Sequence, residues 1–259
     1  MTYTKESLIQ ALLDIRAKGW IENRRQGNDG GIGNTLEYLL GIEENNLPMP
    51  NAAEWELKCQ RSHTSSLTTL LHMEPSPRAM RLVPSMLLPK YGWKHDKAGQ
   101  RYPETEMSFR QTINAITRTD RGFRINIDYH EKKITISFEA SKVNSRHNEW
   151  LAQVKLRIGL SELNPQPYWG FDDLFHAVGA KLHHCFYVKA DVKRCGGVEY
   201  FKYTDMMMLQ KFSLEKFIQA IENGSVLVDF DARTGHNHGT KFILRQDCMP
   251  FLYETVSEL

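Results

Sequence analysis

The fold class this sequence predicts is α+β, a mixed α/β arrangement around one mixed sheet. Segments with helical spacing and segments with two-residue alternation both occur along the chain. They do not follow one another in a regular strand–helix series, which points to α+β or irregular α/β. At 259 residues the chain can bury a sizeable core as one large domain or two small ones.

The elements follow from local pattern. Residues 4–18 carry Leu8, Leu12 and Ile15 at helix spacing, with Ile9 and Leu13 beside them, and Gly19 is a natural stop. A polar, glycine-rich loop, NRRQGNDGGIG, comes next. NTLEYLLGI then predicts a second helix, with Asn34 as N-cap and Glu37 as its third residue, close to a capping box. EWELKCQ and SLTTLLH predict strands. The stretch 73–120 is rich in Pro, Arg and Met and poor in periodicity, so it is expected to run as a long excursion over the surface. FRINIDYHEKKITISFEA predicts a hairpin: Phe123, Ile125, Ile127 and Tyr129 share one face, matched across the turn by Ile134, Ile136 and Phe138. Residues 170–182 have helical spacing. CFYVKADV and VEYFKY predict strands joined at Gly196-Gly197. SLEKFIQAIENG is a helix capped by Ser213 and ended by Gly224. SVLVDFDAR and GTKFILR predict two more strands, with a short helix closing the chain.

Composition narrows the class. Apolar residues make up 41% and charged residues 25%, ordinary for a globular protein. No apolar run approaches the roughly 20 residues of a membrane helix, and the amphipathic N-terminus has no signal-peptide core, so a cytoplasmic location is the expectation. Cys59, Cys185, Cys195 and Cys248 form no C-x-x-C pair, which argues against a zinc ribbon and for free thiols. Net charge is only +2, from 33 basic and 31 acidic residues. A whole-chain basic excess would mark a nucleic-acid binder, but a nuclease also needs acids at its metal. The local basic clusters ENRRQGNDGG, KCQRSH, RTDRGFR, KADVKR and HNHGTKFILR carry more information than the sum.

The stretch PNAAEWELKCQ, residues 50–60, is the strongest chemical signal. In a strand Glu54, Glu56 and Lys58 point one way, and Trp55, Leu57 and Cys59 the other. Trp55 and Leu57 make a core face, and the charged face can line a cleft. Pro50 and two alanines permit a turn that brings Asn51 towards Glu56. Phosphodiester hydrolysis needs a metal on the phosphate oxygen, a group that orients water, and charge neutralisation at the leaving oxygen. Mg²⁺ wants hard oxygen ligands; two acidic positions and a backbone carbonyl, that of Leu57, would supply them, and a lysine orients the water. On its own E-x-K is weak, because a solvated charged strand face has the same pattern.

The flanks add to it. The run RRQGNDGGIGNTLEYLLGIEENNLPMPNAAEWELKCQRSHTSSLTTLLHMEP (24–75) resembles the active-site region of the MvaI/BcnI family of restriction endonucleases, itself similar to the mismatch-repair nickase MutH. The shared pattern is a basic arm, G-x-x-G-x-x-x-E on a helix, E-N-N, a small-residue turn, E-x-K, then a strand beginning S-L-T. VLVDFDARTGHNHGTKF (226–242) is similar to the family's base-reading segment, and IENGSVLVD leading into it fits as well. The resemblance implies a PD-(D/E)xK nuclease core with two lobes around a DNA cleft, a catalytic lobe at about 1–140 and a recognition lobe at about 141–259. It implies a Mg²⁺-dependent monomer that binds double-stranded DNA at short, near-palindromic sites of the CC-N-GG type and cuts one strand per binding event. A cognate DNA methyltransferase is expected in the same system, without a stable complex. Carried over by position, Glu56 is a metal ligand, Lys58 the water-orienting lysine, and Glu37 a helix carboxylate near the site, with the capping box as its plainer role. Asn51 departs from the pattern: the family has an aspartate there as bridging metal ligand. An amide keeps the shape but loses the charge, which disables Mg²⁺ chemistry. The intact surroundings favour an introduced aspartate-to-asparagine exchange over natural decay.

For DNA reading, FDARTGHNHGTK supplies Asp231, Arg233, His236, Asn237, His238 and Lys241 on a loop after a strand. Arg forks onto guanine, Asp accepts from cytosine N4, and His donates to guanine, a set suited to a G·C-rich site. A zinc site at His236-x-His238 or a solvated loop are the other readings. Arg24 and Arg25 would grip backbone phosphates or sit in a surface turn, and the glycines after them could cradle a phosphate at a helix start. His183-His184 and Met206–Met208 read as strand and core residues. A MutH-like repair nickase activated by a partner, and a DNA-binding protein without catalysis, are the alternative functions.

Overall fold

The computed structural model describes residues 3–28, 30–42, 52 and 54–259; Asn51 lies outside the described residues. In chain order the elements are helix α1 (Lys5–Ala17), strand β1 (Trp20–Glu22), helix α2 (Gly31–Leu39), and strands β2 (Trp55–Arg61) and β3 (Thr68–His72). A π-turn at Val83–Leu87 runs into the short helix α3 (Leu88–Tyr91), followed by strands β4 (Trp93–Lys94), β5 (Met107–Ile113), β6 (Phe123–Asp128) and β7 (Lys133–Phe138). Then come helix α4 (Asn148–Ile158), strand β8 (Tyr168–Gly170), helix α5 (Phe171–Leu182), and the long strands β9 (His184–Cys195) and β10 (Val198–Phe212). Helix α6 (Leu214–Glu222) and strands β11 (Val226–Arg233), β12 (His236–Leu244) and β13 (Tyr253–Glu258) complete the chain.

These elements form two compact units, neither of them a contiguous half of the chain. The first comprises Met1–Thr68, His176–Lys216 and Arg245–Leu259; the second comprises Thr69–Phe175 and Phe217–Leu244. The strands fall into three sheets rather than the single sheet expected from sequence.

In the first unit the sheet runs β1-β10-β9-β2, with β13 also on β10. It is mixed: β2 runs parallel to β9, and the other pairs are antiparallel. The N-terminal helix forms as its periodicity predicts. Thr4 Oγ1 accepts from the Ser7 backbone N–H, and Ser7 Oγ accepts from the Thr4 N–H, closing a capping box. Its buried stripe, Leu8, Leu12 and Ile15, joins Ile32 and Leu36 of α2 and Trp55, Leu57, Phe186, Val188 and Phe201 of the sheet in one core. Each such side chain contributes about 1.5–3 kcal/mol by leaving water.

The second helix starts earlier than its sequence suggests. Gly30 is its N-cap, so Asn34 lies inside the helix, donating its N–H to the Gly30 carbonyl at 3.1 Å, and Glu37 is not its third residue. Tertiary packing sets this start: a Cβ at Gly31 would come within 2.7 Å of the Asn23 side chain, so only glycine lets the helix begin against that asparagine.

The second unit holds the antiparallel sheet β3-β12-β11-β5-β4 and the three-stranded sheet β6-β7-β8. The β6–β7 hairpin has the expected register, Phe123 opposite Phe138, Ile125 opposite Ile136 and Ile127 opposite Ile134. Tyr129 lies past the end of β6 and is exposed. The stretch 73–120 is not a surface excursion: Leu82, Val83, Met86, Leu87, Leu88, Tyr91, Phe109 and Ile113 are buried, and β5 is an interior strand of its sheet. Its periodicity is hidden because a π-turn, a four-residue helix and a two-residue strand share it, none long enough to show a repeat. The chain closes with a three-residue 3₁₀ turn at Pro250–Leu252 and an edge strand, not a helix. All four cysteines are free thiols.

Candidate active site

Strand β2 presents one buried apolar face and one charged face, as alternation demands. Trp55 and Leu57 sit in the core of the first unit, with Cys59 packed partly against it. Glu56 and Lys58 share the opposite face, with Lys58 Nζ 2.9 Å from Glu56 Oε1. Glu56 is only 1% exposed. Directly before the strand the chain turns: the Ala52 and Trp55 backbones exchange N–H···O bonds of 2.9 Å each.

The parallel neighbour β9 sets the surroundings of this pair, with Glu56 beside Cys185, Lys58 beside Tyr187 and Gln60 beside Lys189. Tyr187 donates to Gln60 Oε1, and Lys189 pairs with Asp247. The Cys185 thiol is pushed up to about 12 by burial, which outweighs the lowering by Lys58 and is reinforced by Glu56. It is an inert wall of the site. A second cation reaches Glu56: Lys181, in the last turn of α5, lies 3.8 Å from Oε1. The sequence gives no local sign of Lys181, because only the parallel pairing of β9 with β2 brings the helix before β9 to the E-x-K strand.

Both lysines lie against Oε1, while Glu56 Oε2 is buried and has no hydrogen-bond partner among the described residues. A buried carboxylate oxygen left in that state costs on the order of 1–3 kcal/mol or more, and a hard cation on it offsets that cost. The donor set therefore fits Mg²⁺ at Glu56. Leu57 can add only its carbonyl, since its side chain packs in the core. Among the described residues no group of three or more His, Cys, Asp or Glu side chains is placed to hold a metal.

Glu37, Arg24, Arg25, Asn34 and Tyr38 line a separate cavity of about 280 Å³ in the same unit. The Arg24 guanidinium stacks over the Tyr38 ring at 3.9 Å. The Glu37 charge is felt at Cys59, whose thiol is raised first by burial and then by that carboxylate. The structure thus joins Glu37 to the basic arm. His184 is a packing residue: it stacks on Trp55 at 5.0 Å, and burial together with His183 lowers its pKa. Met206 and Met208 are buried strand residues.

The proposed reading segment lies in the second unit, and on a strand rather than a loop. His236 to Lys241 are part of β12, joined to β11 through Thr234-Gly235. One face of β11 and β5 packs inward through Phe230, Ala232 and Phe109. The other is polar. Arg110 Nε lies 2.7 Å from Asp231, and Thr112 donates to Asp229 at 2.8 Å. Lys241 stands 3.8 Å from Asp231 and 4.0 Å from Asp229. Arg233 is held by the buried Glu106 at 2.9 Å and lies over the Tyr102 ring at 4.7 Å. His236 Nε2 and His238 Nδ1 are 3.3 Å apart. Glu74 accepts from Asn237 Nδ2 and from the Thr240 N–H, fixing the start of the strand. Arg110 and Thr112, hidden because β5 was hidden, and Asp229 on β11 extend this face beyond what sequence suggested.

A sequence profile of the MvaI/BcnI restriction endonuclease family matches residues 9–253. The chain superposes on a solved restriction endonuclease MvaI–cognate DNA substrate complex with a TM-score of 0.77 at 24% identity, covering 99% of each chain. Against restriction endonuclease MvaI in the absence of DNA the TM-score is 0.54 at 24% identity, covering 100% of this chain and 99% of the other. No curated protein sequence matches the chain. At this identity the structures establish the fold, mixed α/β with sheets flanked by helices. With a family profile spanning nearly its whole length, the chain belongs to the MvaI/BcnI restriction endonuclease family, hydrolases that act on DNA.

Proposed function

We propose that this chain is a Mg²⁺-dependent endonuclease that reads a short G·C-rich duplex site of the CC-N-GG type as a monomer and cuts one strand per binding event. As it stands it is disabled by Asn51 in the place of an aspartate. The observation that carries the chemistry is the pairing of Lys58 with the buried Glu56, whose second carboxylate oxygen has no partner among the described residues. Bound Mg²⁺ would neutralise charge on the phosphate and make a water more acidic. Glu56 would hold it through Oε2 and Leu57 through its carbonyl. Lys58 and Lys181 fix Glu56 through Oε1, and the Lys58 ammonium would orient the attacking water. The MvaI complex with cognate DNA supports duplex DNA as the substrate.

The monomer reading is tested on supercoiled plasmid with the Asn51→Asp protein. Open circles should accumulate before linear product, at a rate proportional to protein. Direct conversion to linear DNA with a steep concentration dependence would point to a dimer.

Base reading is assigned to Asp231, Arg233, His236, His238 and Lys241, supported by the set of donors and acceptors on one strand pair. Arg233 is already oriented by Glu106 and Tyr102. Arg233→Ala should cost about 1–3 kcal/mol of binding at the specific site and little on random DNA. Equal loss on both duplexes would make it a phosphate contact. Since the change leaves the buried Glu106 without this partner, a thermal melt should accompany the binding curves.

A further inference from the structure

The chemistry described so far leaves a larger feature of the first unit unused, a cavity of about 890 Å³. Three segments meet there: the arm at Gln26–Asn28, the loop Arg61–Ser66 that leaves β2, and the tip of the β9–β10 hairpin at Lys193 and Arg194. Its floor is a buried carboxylate, Glu199, and among the described residues its carboxylate oxygens are met by donors. Asn23 Nδ2 reaches Oε2 at 2.8 Å, Arg61 lies 3.4 Å from Oε2, and Arg194 lies 3.5 Å from Oε1. The rim is cationic and wet: the Arg194 side chain is 76% exposed. Lys193 is steadied over the Trp20 ring at 4.4 Å. Thr64 and Ser66 add hydroxyls, 2.7 Å apart. Three cations against one neutralised carboxylate make a site for an anion, held by side chains already in position.

Arg61 is three residues beyond Lys58 on the same strand, so by alternation its side chain leaves the opposite face, where it lies over the Phe201 ring at 5.6 Å. We infer that this cavity is a second phosphate-binding site, gripping the DNA backbone away from the Glu56–Lys58 pair. This rests on the endonuclease reading, but binding tests it without cleavage or a specific sequence.

The experiment is fluorescence anisotropy of the protein as it exists, without Mg²⁺, on specific and random-sequence duplexes over a range of salt. Lys193→Ala with Arg194→Ala should weaken both duplexes by a similar factor, about tenfold, and flatten the slope of log affinity against log salt by about 1–2. Inorganic phosphate is the second probe: saturable binding of phosphate that the double variant loses, with DNA affinity unchanged, would give the site to a free phosphate compound and overturn the backbone assignment. No change with either probe, or a loss confined to the specific duplex, would also overturn it. Failure of the endonuclease reading would show separately, as equal affinity of the unaltered protein for the two duplexes.

Discussion

Asn51→Asp should raise cleavage of a specific duplex in Mg²⁺ by at least about a hundredfold, equivalent to roughly 2.7 kcal/mol of barrier. The expectation starts from charge. Glu56 brings one negative charge to the site, and two lysines already draw on it. A divalent cation held by one shared carboxylate and neutral carbonyls is bound weakly. A second carboxylate one residue before Ala52, where the chain turns into β2, restores both a hard ligand and the charge that balances Mg²⁺ against the phosphate. DNA affinity without metal should stay level or fall slightly, since an added anion repels phosphate. Calorimetric titration of Mg²⁺ or Ca²⁺ into the two forms gives a readout independent of turnover, and the aspartate form should bind the tighter. A protein that cuts no faster with aspartate than with asparagine at position 51 would sink the assignment of that position as a metal ligand, and Glu37 or Glu54 would be next to test.

How much of this was legible in the sequence depended on whether an element's partners were close in the chain. EWELKCQ shows its strand and both its faces because alternation is local, and the site's carboxylate and lysine lie two residues apart. The β6–β7 register could be read residue by residue because the hairpin closes on itself. Strand β5 could not: its partner β11 follows more than a hundred residues later, and MSFRQTI puts Arg110 and Thr112 beside only two fully buried apolar positions, Phe109 and Ile113. With β5 went the polar face that carries Asp231, and the surface excursion expected over 73–120 replaced a buried layer. The capping box at Asn34 failed for a related reason. Its pattern is sound in isolation, but the Asn23 side chain against Gly31 sets the helix start from outside the helix. Lys181 belongs to the same class, a residue whose role exists only through the pairing of β2 with β9.

Lys58→Ala in the Asn51→Asp background should abolish the gain, lowering the rate by at least about a hundredfold to that of the asparagine form or below. Two effects must be separated, because Lys58 is both the closest partner of a buried carboxylate and the proposed holder of the water. As a partner, its loss leaves Glu56 with Lys181 at 3.8 Å. Removing one member of a fully buried pair costs about 3–5 kcal/mol; the second lysine and the 14% exposure of the Lys58 side chain reduce this, so a loss of about 1–3 kcal/mol is expected in urea unfolding. As holder of the water, it acts through a compact ammonium at one position. Lys58→Arg keeps the charge and should recover most of the stability. The planar guanidinium cannot put its charge where the ammonium stood, so the rate should stay low. Stability and rate recovering together in the arginine variant would reduce Lys58 to a structural partner of Glu56. A Lys58→Ala protein that cuts within tenfold of its parent would pass the role to Lys181, and Lys181→Ala in the same background would then carry the hundredfold loss.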